Sequence, residues 1–374
     1  MKLYLIAGVA SGVARGAELM RALTERDVSL EFFGAGGREM RALGGGHFTD
    51  WADEAVVGLW DVLKKYGYFK AQFNRMLADI ARVQPQALVL IDYPGFNLRL
   101  AKAVKRALPT VRIIFYISPQ VWAWNRGRIS KMARYLDLML CIFPFEKPLY
   151  EKSGLPAVFT GHPLLDSLET KRTCHTREPQ LVGLFPGSRQ KEVRKIFPVM
   201  VQAAQRMKAA RPELRFEAAA ASHQLADRML ATIEHFGESE DFCRVTVRSS
   251  HELMQRAAAG IVCSGTATLE AAFFGLPLCI VYKVATLTWI VGKQLIKVPF
   301  IGMPNVLAGR EIAREFLQGD ATPEALADET LRLVSHAAAR ETLQRELAAV
   351  IAQLGDRGAA PRAAEAILNE LARA

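Results

Sequence analysis

Two short segments of the 374-residue chain combine small residues with groups that recognise anions. Cys263-Ser264-Gly265-Thr266-Ala267-Thr268-Leu269-Glu270 follows an apolar run and opens an apolar helical pattern. Small side chains let a diphosphate approach the backbone amides at the positive end of a helix. Glu270 falls about one turn into that helix, where a carboxylate can accept hydrogen bonds from both hydroxyls of a ribose. A capping box would need Ser or Thr three residues before the glutamate, and Ala267 stands there instead. Phe185-Pro186-Gly187-Ser188-Arg189 has the same strand-to-helix position, with Ser188 as a hydroxyl donor and Arg189 as a planar cation for a phosphate. An ordinary turn with Ser188 as helix N-cap explains this loop equally well. Neither loop is a Walker loop, since no Gly-Lys-Ser/Thr follows, and the glycines are too few for a dinucleotide fingerprint.

The third candidate is a lone carboxylate. Asp92 ends the apolar run Leu88-Val89-Leu90-Ile91 and precedes Tyr93-Pro94-Gly95-Phe96-Asn97. At a strand's carboxyl end it could act as the base that takes a proton from an attacking hydroxyl, or it could cap the next helix. His162, in Gly161-His162-Pro163, could touch a phosphate or hinge the domains, or be satisfied by backbone partners. Trp122 and Trp124 precede a basic run, Arg126, Arg128, Lys131 and Arg134, without any nucleic-acid-binding signature, so nucleic acid is not an expected partner.

These residues need a scaffold, and the pattern supplies one. Short apolar runs ending in Gly, Ser or Pro alternate with helix-period segments, as in parallel sheets covered by helices. Expected strands are Leu3 to Ala7, Leu30 to Phe33, Ala87 to Ile91, Ile113 to Ile117, Leu138 to Ile142 and Val158 to Thr160. A second series comprises Leu181 to Leu184, Leu214 to Ala218, Val245 to Val247, Gly260 to Cys263 and Leu278 to Val281. The polar, non-periodic stretch between them divides the chain into a domain over 1–165, a linker over 166–180 and a domain over 181–325. Residues 326–374 read as a helical tail that braces the domains or pairs with a second chain, so a homodimer is compatible with the sequence. The fold class is therefore α/β, with two doubly wound domains in tandem and a cleft at the carboxyl ends of their strands.

Composition narrows the partners. Hydrophobic residues make up 51% and charged residues 23%, enough to build large cores and too apolar for disorder. The net charge of +10 favours anionic partners. Five cysteines, Cys141, Cys174, Cys243, Cys263 and Cys279, are scattered without zinc-ligand spacing, so neither a disulfide framework nor a metal site is expected. The first residues imitate a secretory signal, but the apolar run is short and a glycine loop follows, as for a buried first strand. No run reaches the roughly 18 apolar residues of a membrane span. The expected location is the cytoplasm.

Gly187-Ser188-Arg189, Ser264-Gly265-Thr266, Ser118-Pro119-Gln120-Val121-Trp122-Ala123-Trp124, Phe143-Pro144-Phe145-Glu146 and Pro304-Asn305-Val306-Leu307-Ala308-Gly309-Arg310-Glu311 together resemble the lipid-A-disaccharide synthase family. The resemblance runs in order from residue 3 to about residue 330, and the tryptophan and Asn305-to-Glu311 segments are specific to that family. It implies two Rossmann-like domains of the GT-B type and a cofactor-free, metal-independent, inverting transfer. A 2,3-diacylglucosamine would move from UDP to the 6-hydroxyl of 2,3-diacylglucosamine 1-phosphate. It further implies that Ser188, Arg189, Ser264, Gly265, Thr266, Glu270, Asn305, Arg310 and Glu311 line the UDP-sugar site. Gly8, Ser11 and Gly12 would shape the first loop on the acceptor side, with Asp92 as the base. The chain departs from the family at Gly95, where many members carry an aspartate, and at Val9 and Val13, where Glu and Asp are usual.

Those departures keep alternatives open: another two-domain UDP-sugar enzyme, such as a 2-epimerase or a peptidoglycan glucosaminyltransferase, or a non-catalytic UDP- or lipid-binding relative. Finally, Val56, Leu59, Trp60, Leu63 and Tyr66 fall at helical spacing, widened by Val57, Val62, Tyr68 and Phe69, with Lys64, Lys65 and Lys70 beside them. A diacylated substrate leaves a bilayer at a cost of about 0.8 kcal/mol per CH2, so an enzyme acting on it must come to the membrane, here the cytoplasmic face of the inner membrane. Val56, Leu59, Trp60 and Leu63 are the expected contact, and a helix burying this stripe in its own core is the competing reading.

Overall fold

The computed structural model describes residues 1–45, 47–51, 66–124, 126–173, 175–285, 289 and 298–373. The chain forms two compact units, Met1–Pro163 with Leu354–Ala374, and Leu164–Gln353. Each is built on one parallel sheet.

In the first unit the strands are β1 (Lys2–Ala7), β2 (Glu31–Gly36), β3 (Phe48–Asp50), β4 (Ala87–Ile91), β5 (Arg112–Tyr116), β6 (Leu138–Cys141) and β7 (Ala157–Phe159), in the order β3-β2-β1-β4-β5-β6-β7. All described pairs are parallel, with Leu3 opposite Ala87 and Ala7 opposite Ile91. The continuous apolar runs follow from burial on both faces: Leu3, Leu5 and Ala7 enter one core cluster and Tyr4 and Ile6 the other. The chain moves outward from β1 to β2 and β3, then returns to place β4 on the other side of β1. The strand order therefore reverses between β1 and β4, and a crevice opens beyond their carboxyl ends.

The second unit repeats the device with β8 (Glu178–Phe185), β9 (Arg215–Ala220), β10 (Cys243–Val247), β11 (Ala257–Cys263), β12 (Leu278–Tyr282) and β13 (Glu315–Leu317), ordered β10-β9-β8-β11-β12-β13. Ile261 lies opposite Leu184 and Val262 opposite Phe185. The reversal here falls between β8 and β11, whose ends carry the two candidate anion loops.

The boundaries differ from those expected. The stretch 166–180 contains most of the helix Leu164–Glu169 and the first residues of β8, because Leu165 and Leu168 are apolar enough to be buried. The helical tail divides. Helices Pro323–Ser335 and Ala337–Ala352 pack Leu326, Leu333, Leu343 and Leu347 into the second core, whereas Ala359–Ala372 returns to the first unit. There Ala360, Ala363, Ala364 and Ile367 join the cluster containing Ala17 and Leu23 of the helix Ala10–Thr24. The short alanine side chains permit that close approach between helices.

Val56, Leu59, Trp60 and Leu63 lie outside the described residues, as do Val57, Val62, Lys64, Lys65 and Cys174. At the end of the same stripe, Phe69 is buried in the core and Tyr68 packs against it, so these two side chains serve the fold. Among the described residues no helix is long and apolar enough to cross a membrane.

Candidate functional site

The second unit holds a cavity of about 330 Å³ at its strand-order reversal. Ser188 and Arg189 line it from the loop after β8, and Ser264, Gly265, Thr266 and Glu270 from the loop and helix after β11. Thus six of the nine residues expected at a UDP-sugar site converge here.

The two loops differ in how their amides are used. In the first, Gly187 adopts φ +105°, and a Cβ there would meet Glu192 Oε2 at 2.5 Å. Glu192 sits at the third position of the helix Gln190–Ala210, and its Oε2 accepts from the amides of Ser188 at 3.2 Å and Arg189 at 3.1 Å. Its Oε1 accepts from Arg189 Nη1 at 2.8 Å. The N-cap is Arg189 rather than Ser188, and a carboxylate of the protein already occupies the anion-attracting turn. Glu192 carried no capping-box signal in the sequence, since Arg189 rather than Ser or Thr stands three residues before it.

The second loop is open. Gly265 is the N-cap of the helix Thr266–Phe273 at φ +148°, and a Cβ there would meet nothing within 4 Å. Ser264 Oγ donates to the Ile301 carbonyl at 3.0 Å and Thr268 Oγ1 to the Gly265 carbonyl at 2.7 Å, which holds the loop's shape. The Thr268 amide donates to the Gly265 carbonyl at 3.1 Å, but the amides before it in the first turn have no carbonyl acceptor within the helix, so this end of the cavity offers donors to an anion. Glu270, a turn further in, faces His251 Nε2 across 3.0 Å. No sequence signal singled out His251, since the helix that carries it, Ser250–Arg256, meets Glu270 only in the folded unit.

Asn305, Arg310 and Glu311 are absent from the described lining of this cavity. Asn305 is fully buried: its Nδ2 donates to the Ala313 carbonyl and to Glu315 Oε1, and its Oδ1 accepts from the amides of Ile312 and Ala313. All its amide groups thus hold the loop that follows the helix Met303–Ala308. Arg310 pairs with Glu346 at 3.0 Å, and Glu311 accepts from the Glu315 amide at 3.0 Å.

In the first unit, the loop after β1 and Asp92 after β4 meet at the other reversal. A Cβ on Gly8 would strike the Tyr93 ring at 2.5 Å, so glycine is what admits the ring. Gly12 is buried, its Cβ direction facing the Ile91 carbonyl at 3.6 Å, and Ser11 is exposed on the first turn of the helix Ala10–Thr24. Asp92 and Tyr93 both have left-handed backbones, at φ +49° and +48°, unusual for residues with side chains. Asn97 holds this turn by donating to the carbonyls of Asp92 at 2.7 Å and Ile91 at 3.3 Å. The N-cap of the helix Pro94–Ala107 is Tyr93, so Asp92 is not its cap. Burial raises the Asp92 carboxyl above the ordinary carboxylate range, opposed by a hydrogen bond from the Tyr93 amide. Gly95 is exposed with open space where a Cβ would stand. Val9, the N-cap of the helix Ala10–Thr24, provides no side-chain cap, and Val13 is half-buried against the core.

The tryptophan and Phe143-to-Glu146 motifs form one buried unit. Glu146 Oε1 accepts from Trp122 Nε1 at 3.0 Å and Oε2 from the Phe143 amide at 3.1 Å, and burial pushes its carboxyl up to about 7. His162 is half-buried, 5.1 Å from the Phe143 ring, and pushed down to about 4, chiefly by desolvation and then by Arg15. Its imidazole is therefore neutral at pH 7. A cavity of about 700 Å³ between β3 and the helix Tyr66–Val83 is larger than the one described above. Tyr4 donates there to Asp79 at 2.9 Å and Arg82 bridges Asp79 at 2.6 Å, Gln72 Oε1 is buried without a partner among the described residues, and the cavity lacks the open helix terminus of the smaller one. Among the described residues, no group of three or more His, Cys, Asp and Glu is arranged to hold a metal ion.

Comparison with known proteins agrees with this arrangement. A family model described as lipid-A-disaccharide synthetase matches residues 3–368. The chain is 41% identical to the lipid-A-disaccharide synthase of Trichlorobacter lovleyi, over 98% of this chain and 97% of the relative. It is 38% identical to that of Geobacter sulfurreducens, over 100% and 98%. Among solved structures, UDP-GlcNAc 2-epimerase from Neisseria meningitidis superposes with a TM-score of 0.63 at 10% identity, covering 100% of both chains. MurG from Acinetobacter baumannii gives 0.58 at 13%, covering 98% of this chain and 99% of the other. These likenesses show the fold, two parallel-sheet units of the GT-B kind. The full-length match at 41% and 38% identity shows more: the chain belongs to the lipid-A-disaccharide synthase family.

Proposed function

We propose that the chain transfers 2,3-diacylglucosamine from UDP to the 6-hydroxyl of 2,3-diacylglucosamine 1-phosphate, with inversion, giving the lipid A disaccharide 1-phosphate and UDP. The observation that carries this reading is the family match over residues 3–368. The placement of candidate loops at both strand-order reversals supports it.

In this reaction the acceptor oxygen forms a bond to the anomeric carbon as the bond to the diphosphate oxygen breaks. The hydroxyl proton passes to a carboxylate, and the leaving diphosphate gains negative charge. Asp92 is the base: partial desolvation makes its carboxylate a better proton acceptor than one in water. The donor's diphosphate lies at the Gly265 turn, where helix amides and the Arg189 guanidinium stabilise the developing charge. Ser188 and Thr266 supply hydroxyls around it, Ser264 borders it while its own hydroxyl holds the loop through the Ile301 carbonyl, and Glu270 takes the ribose. Asn305, Arg310 and Glu311 support this lobe through the contacts described above. Gly8, Ser11 and Gly12 border the acceptor side. The acyl chains keep both substrates in a bilayer, so the enzyme works as a peripheral protein at the cytoplasmic face of the inner membrane. Val56, Leu59, Trp60 and Leu63 make the contact, helped by the net charge of +10.

The test is incubation of the purified chain with UDP-2,3-diacylglucosamine and 2,3-diacylglucosamine 1-phosphate, followed by mass spectrometry of the lipid fraction. A disaccharide 1-phosphate is expected. Tight UDP binding without that product would instead identify a non-catalytic relative, the reading that Val9, Val13 and Gly95 favour.

A further inference from the structure

Glu270 lines the cavity, but its carboxylate is not free to turn. Its Oε2 lies 3.0 Å from His251 Nε2, whereas its Oε1 has no hydrogen-bond partner among the described residues. An ionised carboxylate only accepts, so the imidazole must donate from Nε2. The histidine is itself backed. Its ring leans on Phe274 at 5.7 Å, and its carbonyl accepts from Gln255 Nε2 at 3.0 Å. Phe274 is buried and its carbonyl is held by Arg177 Nη2 at 2.6 Å, so the ring has a fixed wall behind it. Side-chain exposures of 23% for His251 and 21% for Glu270 leave the pair partly shielded, where a charge-assisted hydrogen bond is worth more than in water.

We infer that His251 is a positioning residue that makes the nucleotide site selective for ribose. It anchors one carboxylate oxygen of Glu270 so that the other stays aimed at the sugar hydroxyls. The inference rests on reading the cavity as a uridine diphosphate site. A free glutamate at this place would sample several rotamers and lose entropy on gripping a ribose, whereas the anchored one has already lost it. The hydroxyl contact gains most from this arrangement, so 2′-deoxyribose should gain less.

The experiment is titration calorimetry of the full chain with UDP and with 2′-deoxy-UDP. The unsubstituted chain should prefer UDP. His251→Phe keeps the ring against Phe274 and removes the donor, and should weaken UDP about tenfold while changing 2′-deoxy-UDP by less than about threefold. His251→Gln, which retains an N–H within reach, should restore most of the preference. If His251→Phe loses folding in a thermal melt, His251→Asn, polar but too short to reach Glu270, carries the same expectation. Equal losses for both nucleotides, or an unchanged preference, would overturn the role of His251 while leaving the nucleotide site intact. Absence of UDP binding by the unsubstituted chain would overturn the site and the inference together.

Discussion

Replacing Gly95 with aspartate tests the acceptor side most directly. Gly95 is the second residue of the helix Pro94–Ala107, exposed, with no atom within 4 Å of a Cβ built there. Three contributions decide the stability change. Glycine is about 0.3–0.5 kcal/mol worse than aspartate within a helix, and a carboxylate in the first turn gains about 0.3–1 kcal/mol from the helix dipole. Repulsion from Asp92, three residues earlier and outside the helix, opposes this by about 0.3 kcal/mol, the order expected for two charges roughly 10 Å apart in water. The net is a gain of about 0.3–1.2 kcal/mol, or a rise in melting temperature of about 1–4 °C for a unit of this size. The kinetic consequence is larger. A positioned general base contributes about 10²–10⁴-fold, so Asp92→Asn should lower kcat by that factor. If a carboxylate at 95 can share the role, adding Gly95→Asp to Asp92→Asn should recover at least tenfold of the loss. In the parent background, the new negative charge should also raise the Asp92 carboxyl further, moving the acid limb of the kcat/KM profile to higher pH. The assay is disaccharide formation in mixed micelles, followed by mass spectrometry from pH 5 to 9. A Gly95→Asp protein that is stabilised but recovers nothing in the Asp92→Asn background would refute any basic role for position 95. An active Asp92→Asn protein would refute the assignment of Asp92 itself.

Other perturbations have equally definite outcomes. Glu146 has its carboxyl raised from 4.5 to about 7, so its contribution to stability is complete below about pH 4.5 and is lost as pH rises through about 7, a change of about 3 kcal/mol. Glu146→Gln leaves either the Trp122 or the Phe143 N–H facing an amide NH2, a pH-independent cost of about 1–3 kcal/mol. Urea unfolding should therefore find the variant weaker at pH 5, with the gap closed or reversed by pH 8; a constant gap would show that Glu146 does not titrate in this range. Restoring carboxylates with Val9→Glu and Val13→Asp should raise turnover, and unchanged rates would count against any part for the first loop. Serine at Leu59, Trp60 and Leu63 should release the chain from anionic vesicles without altering its melting curve. A lowered melting temperature would mean that those side chains belong to the core.

The pattern of strands was legible because both faces of each central strand are buried. Leu88-Val89-Leu90-Ile91 and Ala257 through Cys263 read as uninterrupted apolar runs, and such runs occur where helices cover both sides of a sheet. Of the three three-residue edge strands, Ala157–Phe159 is wholly apolar and readable, whereas Phe48–Asp50 and Glu315–Leu317 each carry an acidic residue among three and give too little periodicity. The division of the helical tail was hidden for a related reason. An alanine-rich stripe announces a close helical neighbour, but not which unit provides it.

Local residue types thus established the strand-to-helix loops and the carboxylate after β4, because glycine, serine and a terminal aspartate are demanded by backbone geometry close in sequence. Long-range packing decided which of these groups remain available to a ligand. His251 reaches Glu270 from another helix and Asn305 spends its amide on the loop and strand behind it, whereas the use of the Ser188-turn amides by Glu192, three and four residues on, is local. A hydrogen bond is a matter of angstroms, and side chains from separate elements come within that distance only when the sheets and helices bury their apolar faces together.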